Sequence, residues 1–156
     1  MRITDFLDIR AVEANLGASQ KPGVIRELVG LFLRIEPSLD PNAIVDILTR
    51  REKLQSTGVG NGIAIPHGRT DAVDRIIAVA GRSVSGVDFE SLDGEPTHLF
   101  FALLVPESEQ GSHLKCLARL SRLLKEQTTR TALMNASTSD VMYQIVSTQD
   151  AELELG

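Results

Sequence analysis

Three histidines, one cysteine and a few arginines carry the chemistry open to these 156 residues. His67 stands in Gly62-Ile63-Ala64-Ile65-Pro66-His67-Gly68. Pro66 holds Ile65 extended, so the run reads as a short strand ended abruptly at the histidine. Gly68 then permits a sharp exit and leaves room beside the ring for a large group. A fixed backbone with an exposed imidazole is what a histidine nucleophile requires. Pro-His-Gly is only a tripeptide, however, and on spacing alone an ordinary turn histidine is the simpler reading.

His113 follows Ser112, read as a helix N-cap, and lies four residues before Leu117 and seven before Leu120. It shares their core-facing stripe, and a helix N-terminus offers N–H groups suited to an anion. A rim histidine bonded to a backbone carbonyl fits the same spacing equally well. Arg51, in Arg50-Arg51-Glu52-Lys53, closes a helix. Such a charge run is usually a solvated helix end, yet an arginine fork also grips phosphate oxygens bidentately. His98, in Pro96-Thr97-His98, reads as a solvated side chain at a strand start. The three histidines are dispersed and the lone Cys116 has no partner, which disfavours a metal site. The loop Thr57-Gly58-Val59-Gly60-Asn61-Gly62 lacks the Gly-Lys-Ser/Thr ending of a P-loop and precedes a strand. It reads as a turn shaping a pocket, not a nucleotide site.

Elements of both kinds must position these groups. Val24, Ile25, Leu28, Val29, Leu31, Phe32 and Ile35 mark one helical face over 21–35. Asp40-Pro41 starts a second helix, which buries Ile44, Val45, Ile47 and Leu48 and runs towards Arg51. Ile76 to Val84 and Thr97 to Val105 are β-rich, the latter apolar enough for a central strand. Ser85-Gly86 and Asp93-Gly94 are turn signals between them. Helices return at Ser112, from Thr128 to Met134, and near Ser139-Asp140, the last burying Val141, Met142, Ile145 and Val146. The tail, Asp150 to Gly156, is expected to fray. The order is helices, strands, helices: an α/β sandwich of one mixed sheet flanked by helices, a single domain over 1–156.

A chain 42% hydrophobic and 24% charged belongs with soluble globular proteins. Net charge is −5, aromatics are 4% and basic residues are scattered, which argues against nucleic-acid binding. The longest apolar run, Leu99 to Val105, is too short to span a bilayer, and the N-terminus lacks a signal peptide's apolar stretch. A single cysteine suits a reducing compartment, so the expected location is the cytoplasm.

Taken together, three segments resemble a known family. They are Arg51-Glu52-Lys53-Leu54, the run from Ser56 to Gly68, and Leu99-Phe100-Phe101-Ala102-Leu103-Leu104-Val105-Pro106. They are similar to the fructose/mannitol-type enzyme IIA domain of the bacterial phosphoenolpyruvate-dependent phosphotransferase system, nearest its nitrogen-regulatory branch. The resemblance covers essentially the whole chain. It implies a phosphohistidine at Nε2 of His67, with Arg51 and His113 completing the centre and no cofactor or metal. It further implies an HPr-like phosphocarrier as donor, and regulatory targets or a IIB component as recipients. His98 replaces an acidic residue often found there, and no role is inferred for it. The alternatives are a donor subunit for fructose/mannitol-type sugar transport, or a binding module that has lost transfer. No IIB or IIC segment occurs in the 156 residues, which favours regulation.

Overall fold

The computed structural model describes residues 1–155. In chain order its elements are β1 (Leu7–Glu13), α1 (Lys21–Ile35), α2 (Pro41–Leu54), β2 (Gly58–Gly60), β3 (Ile63–Ala64), β4 (His67–Thr70), β5 (Ile77–Val87), β6 (Thr97–Pro106), α3 (Ser112–Lys125), α4 (Gln127–Asn135) and α5 (Ser139–Leu155). The sheet runs β1-β5-β6-β3-β2, and β4 also pairs with β6. β5 and β6 are antiparallel, whereas β3 and β4 lie parallel to β6, one after the other along the same edge. The mixed sheet between helices is the expected architecture. Its expected order is corrected at the start, where β1 precedes the helices. That strand shifts register between Leu7 and Val12, which breaks the alternation by which a strand is read.

β6 shows why an unbroken apolar run makes a central strand. Leu99, Phe101, Leu103 and Val105 face one core, while Phe100, Ala102 and Leu104 face the other. Both faces are covered, so both must be apolar. Cys116, Leu120 and Leu124 of α3, Leu133 of α4, and Met142 and Val146 of α5 close the first core. Ile25, Leu28 and Phe32 of α1, with Ile44 and Leu48 of α2, close the second.

The helices near the site start and stop for local reasons. Asp40 caps α2, accepting the Asn42 amide at 3.0 Å, and Pro41 takes the first helical position. α2 continues past Arg51 to Leu54, with Ile44 and Leu48 buried and Val45 and Ile47 half-buried. Ser112 does not cap α3; Gly111 holds the N-cap position with a φ of +99°. Just ahead of the helix, the Glu109 carboxyl is held below the ordinary carboxylate range, chiefly by the Ser112 side chain.

Three further expectations are corrected. Ser85-Gly86 is not an inter-strand turn but part of β5, where the register shifts between Arg82 and Val87 and Gly86 takes a φ of +92°. Val141 is 40% exposed rather than core. The tail does not fray at Asp150, because α5 carries on to Leu155. Asp150 is fully buried, accepting the Ile3 amide at 2.6 Å and Arg119 Nε at 2.5 Å. Gly156 lies outside the described residues. Among those residues no helix is long and apolar enough to cross a membrane.

Candidate functional site

His67 opens a strand; it does not end one. β3 stops at Ala64, Ile65-Pro66 interrupts the edge, and β4 resumes the pairing with His67 opposite Leu103. Proline has no N–H to give the ladder, but its carbonyl accepts the Leu103 amide at 2.9 Å. Ile65 is turned the other way. Its amide donates to the Thr57 carbonyl at 3.1 Å, and its carbonyl lies 2.8 Å from His67 Nδ1. A carbonyl can only accept, so Nδ1 carries the proton and the neutral ring keeps its lone pair on Nε2.

Register then sorts the side chains of β4. His67 and Arg69 pair with Leu103 and Val105 and share their face, the side covered by α3. Gly68 pairs with Leu104 on the opposite face, beneath α2. The expected role of Gly68, room for a group on the imidazole, is therefore corrected. A Cβ at that position would overlap Ile47 Cγ2, so the glycine admits α2 to the strand.

Arg51, His67 and His113 share one cleft of about 460 Å³, with Ile47, Arg50, Leu54, Gly68, Arg69 and Val105 completing its wall. Arg51 sits in the last turn of α2, where its Nη1 donates to the Gln55 carbonyl at 2.9 Å. His113 enters from the first turn of α3. Arg50, Arg51 and Arg69 line the cleft, the Arg50 guanidinium paired with Asp46 at 3.0 Å, and no carboxylate lines it among the described residues. Such a wall favours an anion, and arginine favours the planar oxygens of phosphate or carboxylate. Desolvation lowers the pKa of His67 from its ordinary 6.5, against the pull of the Ile65 carbonyl. The charges of Arg51 and His113 lower it further, while Glu52 opposes them. The ring is neutral near neutral pH and able to act as a nucleophile.

Arg69 was not anticipated from the sequence. Its Nη1 donates to the Glu109 carbonyl at 2.7 Å, and its Nη2 lies 3.3 Å from His113 Nδ1. It therefore ties β4 to the start of α3. Continuing the strand through His67 would have revealed it, since residues two apart share a face. The Glu109 carboxylate stands just ahead of the α3 N-terminus, its pKa lowered chiefly by the Ser112 side chain. His98 is not a solvated strand end either: it is half-buried, with Nδ1 2.8 Å from the Ser83 carbonyl, and lines a separate cleft. No residue of 57–62 lines the His67 cleft; the segment, which holds β2, meets the site through Thr57, whose carbonyl accepts the Ile65 amide. Among the described residues no group of three or more His, Cys, Asp or Glu is placed to hold a metal ion.

A neutral, strand-held histidine in an arginine-lined cleft on this mixed sheet is a nucleophile set beside a wall that favours an anion. Residues 5–149 match the model of the phosphoenolpyruvate-dependent sugar phosphotransferase system, EIIA 2, family, and the chain belongs to that family. It is 37% identical over 150 residues to the fructose-specific EIIABC component of Bacillus subtilis, covering 96% of this chain but only 24% of that protein's length. It is 35% identical over 147 residues to the nitrogen regulatory protein of Bradyrhizobium diazoefficiens, covering 94% of this chain and 95% of that one. Among solved structures, nitrogen regulatory protein IIA-Ntr of Neisseria meningitidis superposes with a TM-score of 0.85 at 34% identity, over 92% of this chain and 98% of its own.

Proposed function

We propose that this chain is a regulatory phosphoryl carrier, which takes a phosphoryl group onto Nε2 of His67 from a phosphohistidine of an HPr-like protein. The observation that carries the reading is the bond between His67 Nδ1 and the Ile65 carbonyl, which leaves Nε2 as the lone-pair nitrogen. Nε2 attacks phosphorus in line, the donor's P–N bond breaks, and the electron pair returns to the donor imidazole. The step is an exchange between two imidazoles and calls on no metal or cofactor. Phosphoryl transfer asks the protein mainly for positioning and charge stabilisation. Arg51 and the ring of His113 border the space the phosphoryl group would enter, and we assign them that role. The added charge on this face is the signal partner proteins would read. The regulatory role is supported by the likeness to nitrogen regulatory proteins, and a cytoplasmic location is part of the same proposal.

A second reading, a donor that passes phosphate to a sugar-transport IIB component, is favoured by the likeness to the fructose-specific relative. Arg51, His67 and His113 converging on one cleft speak against a module that has lost transfer. The test is intact mass after incubation with enzyme I, an HPr-like carrier and phosphoenolpyruvate. The wild-type chain gains one acid-labile phosphate and His67→Ala gains none; equal labelling of that variant sinks the assignment. Adding a fructose-type IIB domain then separates the roles, because rapid loss of the label to it favours the transport reading.

A further inference from the structure

We infer that Glu52 is a positioning residue for phosphoryl acceptance: it pins Thr57 and so holds the strand break whose carbonyl fixes the His67 tautomer. The inference rests on the reading of His67 as the acceptor.

Glu52 follows Arg51 in the last turn of α2, yet it turns inward and is only 6% exposed. A buried carboxylate is costly unless its charge and lone pairs are matched. Lys21 Nζ, at the start of α1, lies 3.1 Å from Oε2. That ion pair would satisfy the charge by itself. Both carboxylate oxygens nevertheless face Thr57, accepting its amide at 3.0 and 3.2 Å, and Oε1 also accepts its hydroxyl. Thr57 is itself 4% exposed, so neither residue has bulk water as a substitute partner.

Thr57 is where this anchor meets the site. Its carbonyl accepts the Ile65 amide at 3.1 Å, and the Ile65 carbonyl lies 2.8 Å from His67 Nδ1. Glu52 thus joins α2 to the segment just ahead of the nucleophile. α2 carries Arg51 one residue away, so the same anchor sets the arginine relative to the imidazole. The effect is one of placement. Electrostatics alone would act the other way, since the charge of Glu52 raises the pKa of His67 and would repel an arriving phosphoryl group. A charge-only role therefore requires Glu52→Gln to accept phosphate as fast as wild type or faster. Positioning requires it to be slower.

The test compares wild type, Glu52→Gln and Thr57→Val. Glutamine offers one acceptor oxygen where Thr57 presents two donors, and valine removes the hydroxyl while leaving the carboxylate charge. Long-range proton–nitrogen spectra of the labelled proteins near neutral pH report which ring nitrogen of His67 bears the proton. Wild type shows it on Nδ1; both variants show a mixture with Nε2–H. Single-turnover transfer from a phosphorylated HPr-like carrier falls by about 10- to 100-fold, the range expected of a small misplacement, at unchanged half-saturation. Wild-type tautomer and wild-type rate in either variant overturn the inference. Should Glu52→Gln fail to fold, Thr57→Val gives both readouts alone. If wild type takes no phosphate, the functional reading fails, whereas the tautomer comparison still judges the link between Glu52 and His67.

Discussion

Ile47 of α2 lies directly over Gly68 of β4, so close that the strand has no room there for a Cβ. Ile47 and Arg51 are four residues apart and share a helix face, so this contact sets how near the arginine comes to His67. Gly68→Ala forces Ile47 to move, at a cost of about 1–3 kcal/mol for overpacking a filled site. Both stability to urea and the rate of phosphoryl acceptance are expected to fall. Combining it with Ile47→Ala empties the space and recovers part of each. A Gly68→Ala protein with wild-type stability would show that the strand and helix are not in tight contact.

His67 carries a pH signature of known sign. Its folded pKa lies below the unfolded value of 6.5, chiefly through desolvation. Above pH 6.5 both states hold it neutral and the shift has no effect. As pH falls through 6.5 towards the depressed folded value, the unfolded chain takes the proton first and stability declines over that window. Phosphoryl acceptance follows the folded state. It stays level as pH drops through 6.5 and declines only below. A titration of the His67 ring by NMR, alongside single-turnover rates, checks both; a midpoint at or above 6.5 contradicts the desolvated site.

Some of this was written in the local sequence and some was not. The α1 face and the capped start of α2 follow from spacing and from Asp40-Pro41 alone, because both are local physics. β6 was legible because burial on two faces leaves an unbroken apolar run. His67 was legible through its motif, but its strand was not. His-Gly-Arg-Thr has no apolar alternation, and β4 is held by pairing with β6 and by the fit of Gly68 under α2. Arg69 was lost with it. Asp150 looked like one more charge in an acidic tail, since nothing near it in sequence announces Ile3 or Arg119 as partners.

Asp150 is the test of that long-range bond. It joins the N-terminal turn, α3 and α5, and its side chain is 1% exposed. Asp150→Ala leaves Arg119 without its buried carboxylate and the Ile3 amide without its acceptor. The expected loss is about 3–5 kcal/mol, the usual consequence of removing one partner of a buried pair. Lying in the core opposite α2, it leaves acceptance by the remaining folded molecules near wild type. Denaturant unfolding and labelling stoichiometry measure the two separately, and a loss under about 1 kcal/mol would mark the pair as dispensable.

Arg69 is the site residue whose role most needs separating from simple charge. Its guanidinium spans two jobs, donating to the Glu109 carbonyl at 2.7 Å while lying 3.3 Å from His113 Nδ1. Lysine keeps the charge but is a point donor on a flexible stem, so it cannot hold the carbonyl and face the imidazole together. If Arg69 serves only as a cation beside the phosphoryl group, Arg69→Lys transfers nearly as well as wild type and Arg69→Ala does not. If it orders the start of α3, both lose a comparable factor, about tenfold for a bond worth ~1.4 kcal/mol. The geometry favours the second outcome, because the shorter contact goes to backbone and not towards the open cleft. Single-turnover rates of the two variants, with His113 ring shifts as the structural readout, decide between them.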